Sequence, residues 1–389
     1  MPRSDIFDKS FDEATLMKLD LFEKYLGEWL GVYVSKFPSK KAYILDLFCG
    51  AGRDRDANEG SALRSIKVLL KWQKKYDLRN VTLVLCDAQV EKIESLESIL
   101  EHDLSYQGNA FNIRRYCKTF PESFFQIEAE IKNAFNLIFL DPHGFNFITP
   151  EIFKKLFFLR YTDTIFFIAS NFANRFIDNP PSEATFQEMG LKEDIMQEIK
   201  NSDHYEIHRI MAKHYRKLSH EFCHQDKQLE GVVDKIFLSP FSLKKEHTHN
   251  IYGLIFLTHD YCGIDKFLHL AWEKNPFNGE ANFNIDRDYD PNRNDSQLRL
   301  FPIEKVPSNR LTALHAIIDR ELSQREKISN KDLCILCYEN GYYPQKANEY
   351  IEKLVKENRI VKEGNKRGKI SYNSAIKGKS QATFYRIMK

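Results

Sequence analysis

Residues 43 to 52, Tyr-Ile-Leu-Asp-Leu-Phe-Cys-Gly-Ala-Gly, pass from an apolar run through an acid into two glycines, and no other stretch restricts the fold as much. A short apolar run closed by turn residues reads as a buried strand. A strand that ends in a glycine turn before a helix is the first βα crossing of a nucleotide-type α/β sheet. Gly50 and Gly52 let the backbone turn tightly and approach a ligand with no Cβ in the way, while Asp46 turns a carboxylate toward the same crevice. A dinucleotide fingerprint needs a third glycine three residues after Gly52, and Arg55 stands there. NAD is therefore disfavoured.

The rest of the chain supplies the sheet. Strands are expected at 81 to 86, 112 to 116, 136 to 140 and 164 to 169, with helices at 61 to 75, 88 to 102, 121 to 133 and 150 to 160 between them. Near-continuous apolar strands alternating with helices predict a parallel sheet covered on both faces. Two further strands, 232 to 239 and 250 to 258, joined by a loop holding His247 and His249, predict a hairpin at the far edge and seven strands in all. Ahead of the sheet, Leu16, Leu19, Phe22, Leu26, Leu30 and Tyr33 recur at helical spacing across 11 to 36. The stretch 276 to 309 is rich in Asn, Asp, Arg and Pro and reads as a linker. Beyond it come helices at 308 to 323, 330 to 339 and 344 to 358, then strands at 359 to 363 and 369 to 373, a pattern that predicts a winged helix. The expected organisation is a helical segment over 1–40, a doubly wound α/β domain over 41–275, a linker over 276–307 and the winged helix over 308–389.

A chain of 389 residues with 42% hydrophobic and 29% charged content has room for such domains, each with a packed core. It holds no long apolar run of membrane-spanning length, and its start, Met-Pro-Arg-Ser-Asp, is no signal peptide, so a cytoplasmic protein without a membrane partner is expected. Seven cysteines at irregular spacing fit reduced thiols. The net charge of +2 hides an uneven distribution: residues 358 to 389 carry nine Lys/Arg against Glu363 alone. That excess predicts a polyanionic partner, with Lys346, Lys366, Arg367 and Lys369 as the nucleic-acid contacts.

Three acids carry the chemistry. Asp46 follows the first apolar run; Asp87 ends the second strand, where it either accepts hydrogen bonds from ribose hydroxyls or caps the next helix. The third strand ends at Arg115-Tyr116-Cys117 without an acid, which leaves adenine recognition to backbone groups. The fourth leads into Asp141-Pro142-His143-Gly144-Phe145. This Asp-Pro element resembles the signature of enzymes that methylate exocyclic amino groups, in which a carboxylate oxygen and a proline carbonyl accept the two hydrogens of an amine whose lone pair is delocalised into its ring. An aromatic ring close by stacks on a base turned out of its strand. Asn171 and Arg175 are further cleft candidates. His204/His208 and His220/His224 have helical i, i+4 spacing but no carboxylate partner, so a solvated helix is expected and no metal; Cys334 and Cys337 lie in an apolar helix and read as core.

An acid four residues ahead of the first glycine resembles the first motif of Rossmann-like methyltransferases that use S-adenosylmethionine. The Asp-Pro element resembles the Asp-Pro-Pro-aromatic signature of enzymes that methylate exocyclic amino groups of bases, with His143 in place of the second proline and the aromatic residue one position late at Phe145. Across most of its length the chain resembles the three-Cys-motif partner proteins, bacterial methyltransferase-like proteins encoded beside a protein with a three-cysteine motif. That resemblance rests on Thr15, Lys18, Tyr25, Leu26 and Trp29, on Asp46 to Arg53, on Gly60-Ser61, on Asp141 to Gly144 and on the basic C-terminal module. It implies a methyltransferase-like protein with the neighbouring gene's product as a candidate partner. The two motif resemblances imply S-adenosylmethionine held by Asp46, Phe48, Gly50, Gly52 and Asp87 and an acceptor site at Asp141, Pro142, His143 and Phe145, and the basic tail adds nucleic acid as partner. A catalytically degenerate binding protein is the rival reading.

Overall fold

The computed structural model describes residues 10–142, 147–168, 182–225, 236–245, 251–288, 308–365, 367–378 and 382–388. They belong to two units, Met1–Asp260 and Tyr261–Lys389. The division falls ahead of the helix Tyr261–Lys274, whereas the composition of the chain changes only at 276.

The first unit opens with α1 (Glu13–Lys36), followed by β1 (Ala42–Asp46), α2 (Ser61–Gln73), β2 (Val81–Asp87), α3 (Val90–His102) and β3 (Asn112–Cys117). Then come α4 (Phe120–Ile131), β4 (Phe135–Leu140), α5 (Pro150–Phe157), β5 (Thr162–Ile168), α6 (Glu183–Glu188), α7 (Glu193–Asn201), α8 (Ile207–Gln225), β6 (Phe237–Lys244) and β7 (Ile251–Thr258). The strands form one sheet in the order β3-β2-β1-β4-β5-β7-β6. All neighbours from β3 to β5 are parallel, and β7 runs antiparallel to both β5 and β6. This mixed α/β sheet is mostly parallel with an antiparallel hairpin at its far edge. The chain winds outward from β1 to β3 and then returns to β4 on the other side of β1. The strand order therefore reverses between β1 and β4, where open α/β sheets hold their ligands.

Alternation along β4 divides its side chains between two layers. Ile138 and Leu140 join a core with Phe120, Phe124 and Phe153 of α4 and α5, and Phe135 and Phe139 face α1. Phe22 stacks on Phe139 at 4.1 Å between ring centroids and Trp29 on Phe135 at 4.7 Å. The α1 helix starts where Asp12 accepts a hydrogen bond from the Thr15 N–H at 2.8 Å, and α4 starts in a capping box of Thr119 and Glu122. β3, the edge strand, is polar and half exposed with Arg114 and Arg115 in its middle, a composition that discourages pairing with another chain.

Several expectations need correction. The sixth strand is Phe237–Lys244 rather than 232 to 239, and residues 226–235 lie outside the described residues, as do His247 and His249. The histidine-bearing helix is not solvated throughout: His208 and His214 are buried, and His220 is exposed. In the second unit, helices α9 (Tyr261–Lys274), α10 (Asn309–Gln324), α11 (Asn330–Glu339) and α12 (Pro344–Lys356) accompany a three-stranded antiparallel sheet of β8 (Ile328–Ser329), β9 (Ile360–Gly364) and β10 (Thr383–Ile387), ordered β8-β10-β9. The partner of β9 is β10, not residues 369 to 373. The Lys369 N–H bonds to Ser374 Oγ and the Ile370 N–H to Asn348 Oδ1, so that backbone is held by side chains and leads into a π-helical turn, Tyr372–Ile376. Cys334 and Cys337 are buried in α11. Among the described residues no helix is long and apolar enough to cross a membrane.

The Trp29 indole is 2% exposed, yet its Nε1 has no hydrogen-bond partner. Trp29→Ala should cost about 3 to 5 kcal/mol in denaturant unfolding because it leaves a cavity against Phe135. Trp29→Phe sacrifices no hydrogen bond and should cost less than about half of that.

Candidate active site

The chain leaving β1 is held by both neighbouring strands: the Leu47 N–H donates to the Phe139 carbonyl at 3.3 Å and the Cys49 N–H to the Cys86 carbonyl at 2.8 Å. Gly50 and Gly52 then take φ values of 66° and 91°, in the left-handed region where a side chain is strained. At Gly52 a Cβ would also stand 3.0 Å from Leu96 and 3.2 Å from Ile99 of α3. The Gly50 N–H donates to Asp87 Oδ2 at 3.2 Å, which ties the turn to the end of β2. The loop from Arg53 to Glu59 is a built element. Asp54 accepts hydrogen bonds from the backbone of Phe11, Asp56 and Asn58 and from the Asn58 amide, and Arg53 pairs with Asp103 at 2.6 Å.

Asp46, Asp87 and Asp141 stand at the C-terminal ends of three adjacent strands, β1, β2 and β4. Asp46 is 0% exposed, and neither carboxylate oxygen has a hydrogen-bond partner of good geometry. Burial pushes its pKa up to about 7. The nearby Ser61 hydroxyl and Phe48 N–H oppose the rise, and the charges of Asp141 and Asp87 add to it. The carboxylate therefore lies beneath the crevice and not on its surface. Asp87, 9% exposed, accepts from the Gln89 N–H at 3.0 Å as well as from Gly50, and Lys92 Nζ is 3.9 Å away. Gln89, not Asp87, is the N-cap of α3. Phe48 sits against Phe120 at 5.5 Å and edge-on to Phe147 at 5.4 Å.

On the β4 side, Asp141 Oδ2 forms an ion pair with Lys18 Nζ. Lys18 is 5% exposed, and its ammonium lies 4.8 Å from the centre of the Phe167 ring, which stacks on Tyr252 at 5.5 Å. A cavity of about 160 Å³ opens among Asp12, Thr15, Lys18, Asp141, Pro142, Phe167 and Tyr252. Asp12 also pairs with Lys245 at 2.9 Å. Burial raises the pKa of Asp12, but the Lys245 ammonium and the Thr15 N–H outweigh it, and the net shift is downward. His143, Gly144, Phe145, Asn171 and Arg175 lie outside the described residues. Sequence reasoning missed Phe167 and Tyr252 and gave Lys18 no role. The signal was present: Lys18 shares the stripe Ala14, Phe22, Tyr25 and Trp29, and a lysine on the buried face of a helix needs a partner.

In the second unit, Lys346 pairs with Glu349 at 3.4 Å and lies 5.5 Å from the Trp272 ring. Arg367 and Lys369 are exposed, and Lys369 lines a cavity of about 270 Å³ with Asp265, Tyr343 and Tyr372. Lys366 is outside the described residues. Lys362 and Arg386 are paired with Glu352 and Glu363, at 2.8 and 3.0 Å.

No protein-family model matches the chain, and no curated protein matches it. Among solved structures, a protein from Legionella pneumophila is similar over 68% of this chain and 92% of that one, with 10% identity and a TM-score of 0.37. A candidate O-methyltransferase from Klebsiella pneumoniae is similar over 64% and 91%, with 12% identity and a TM-score of 0.30. The strand order, not these distant likenesses, carries the fold.

Asp46 links the site to stability. Its native pKa of about 7 lies above the unfolded value, so its favourable contribution is complete below about pH 4 and is lost as pH rises through 7. Asp46→Asn removes that dependence. Relative to the parent, the variant should gain on the order of 2 to 4 kcal/mol between pH 5 and pH 8. Unfolding titrations at the two pH values measure this, and a difference independent of pH contradicts it.

Proposed function

We propose that the chain is an S-adenosylmethionine-dependent methyltransferase that acts on nucleic acid, at an exocyclic amino group of a base. The observation that supports it best is the gathering of Asp46, Asp87 and Asp141 about a positive-φ glycine turn where the strand order reverses. The Gly50 N–H that would cradle a pyrophosphate is engaged by Asp87. S-adenosylmethionine fits: Asp87 has lone pairs left for two ribose hydroxyls, and Phe48 offers an apolar wall. When bound, the cofactor supplies an electrophilic methyl group. Asp141 accepts a hydrogen from the acceptor amine, the Pro142 carbonyl accepts the other, and His143 and Phe145 complete the acceptor side.

The second unit, on this reading, is a winged helix that holds phosphates through Lys346, Lys366, Arg367 and Lys369. A specific observation favours a protein partner for it instead, such as a neighbouring gene's three-Cys-motif product. Glu349, Glu352 and Glu363 pair with Lys346, Lys362 and Arg386 and neutralise part of the basic surface.

Removing a carboxylate that accepts charge-assisted hydrogen bonds costs about 1.5 to 3 kcal/mol. Asp87→Ala should show that loss in calorimetry with S-adenosylhomocysteine, and Asp87→Asn, which retains one acceptor oxygen at the turn, should lose less. Unchanged affinity in a folded Asp87→Ala protein removes the cofactor assignment. Transfer of an isotope-labelled methyl group to total RNA or DNA tests the reaction itself, and Asp141→Ala should slow it by a factor of about 100 or more without weakening cofactor binding.

A further inference from the structure

We propose that the cavity beside Asp141 seats one heteroaromatic ring bearing an amino group, and that the Lys18 ammonium stands where that amino group binds. The inference rests on Asp141 as the acceptor carboxylate and adds the ring's resting surface and the group it must displace. An accepting aryl amine needs two things from its site: an oxygen for its N–H and a π surface beside its ring. Lys18 fills both positions at once, because its Nζ is bonded to Asp141 Oδ2 and lies 4.8 Å from the Phe167 ring centre. Phe167 is in turn held by Tyr252, the two rings 27° from parallel.

At about 160 Å³ the cavity has room for one ring system. A base turned out of a strand enters such a site with its sugar and phosphate left outside. Lys18 has a flexible four-carbon stem, so its head can withdraw to water when a ring enters. An amino-bearing ring would replace the lost bond to the part-buried Asp141 carboxylate, whereas the single imide N–H of thymine or uracil stands between two carbonyl oxygens that the carboxylate repels. The ion pair thus acts as a filter: displacement is recovered best by a ligand that donates an amino hydrogen to Asp141.

The test separates this role from simple charge attraction. Removing a cation weakens binding of any polyanion, whereas opening an occupied site strengthens binding of the correct one. The probes are oligothymidylate strands carrying one central adenine, cytosine or guanine, and oligothymidylate alone, with parallel oligouridylate strands, measured by fluorescence anisotropy with S-adenosylhomocysteine present. Lys18→Met should bind at least one amino-bearing strand about tenfold more tightly than the parent does, with no gain on the plain strand. Adding Phe167→Ala should abolish the gain. Lys18→Leu, which also lacks a donor, provides a second neutral variant should Lys18→Met fail to fold. Equal or weaker binding of every strand by the neutral variants overturns the proposal. So does a protein that binds cofactor but no strand, an outcome that leaves the cofactor reading standing; failure to bind S-adenosylhomocysteine would instead count against the methyltransferase reading itself.

Discussion

Asp46 lies at the centre of the sheet's C-terminal edge with no exposure and no hydrogen-bond partner of good geometry, and the groups around it are arranged to tolerate that. A carboxylate taken out of water is costly in its charged form, and here two more acids raise the cost. The sheet keeps it there because β1 is an interior strand, bonded on one side to β2 and on the other to β4. The glycine turn above it is held, since the Cys49 N–H donates to the Cys86 carbonyl and the Gly50 N–H to the Asp87 carboxylate. A position that opposes stability and yet is enforced by its surroundings is where a functional site is expected.

The helix α1 does for the β4 side what the glycine turn does for the β1 side. Its aromatic residues anchor it on the sheet, Phe22 and Trp29 on β4 and Tyr25 edge-on to Phe256 of β7. Tyr25 also donates to Asp163, whose pKa burial raises to about 6 despite the hydrogen bonds of Thr258 and Tyr25. With the helix fixed along its length, its first turns bring Asp12, Thr15 and Lys18 to the edge where Asp141 stands. A segment that reads as a separate N-terminal element is thus part of the site.

The parallel sheet was legible because apolar strands and helices alternate with clear punctuation, and the glycine turn because only glycine takes those φ values cheaply. The edge hairpin was placed less well: 232 to 239 is apolar enough to read as a strand, but the pairing with β7 runs from Phe237 to Lys244 and is fixed by register against β7 rather than by composition. The strand at Thr383–Ile387 escaped notice because it is short and follows a basic, glycine-containing stretch, and its pairing with β9 is a long-range choice. The basic tail was visible as a count, but not which of its charges are matched by Glu349, Glu352 and Glu363. The Lys18–Asp141 pair joins residues far apart in sequence, and no local pattern announces such a pair.

The central claim is that the edge formed by β1, β2 and β4 is one crevice with a donor side at Asp87 and an acceptor side at Asp141. A crystal structure of the full chain with S-adenosylhomocysteine tests it most directly. The account predicts ribose hydroxyls within hydrogen-bond distance of the Asp87 carboxylate and the sulfur turned toward the Asp141 side. A ligand bound elsewhere, or one whose sulfur faces away from Asp141, would contradict it.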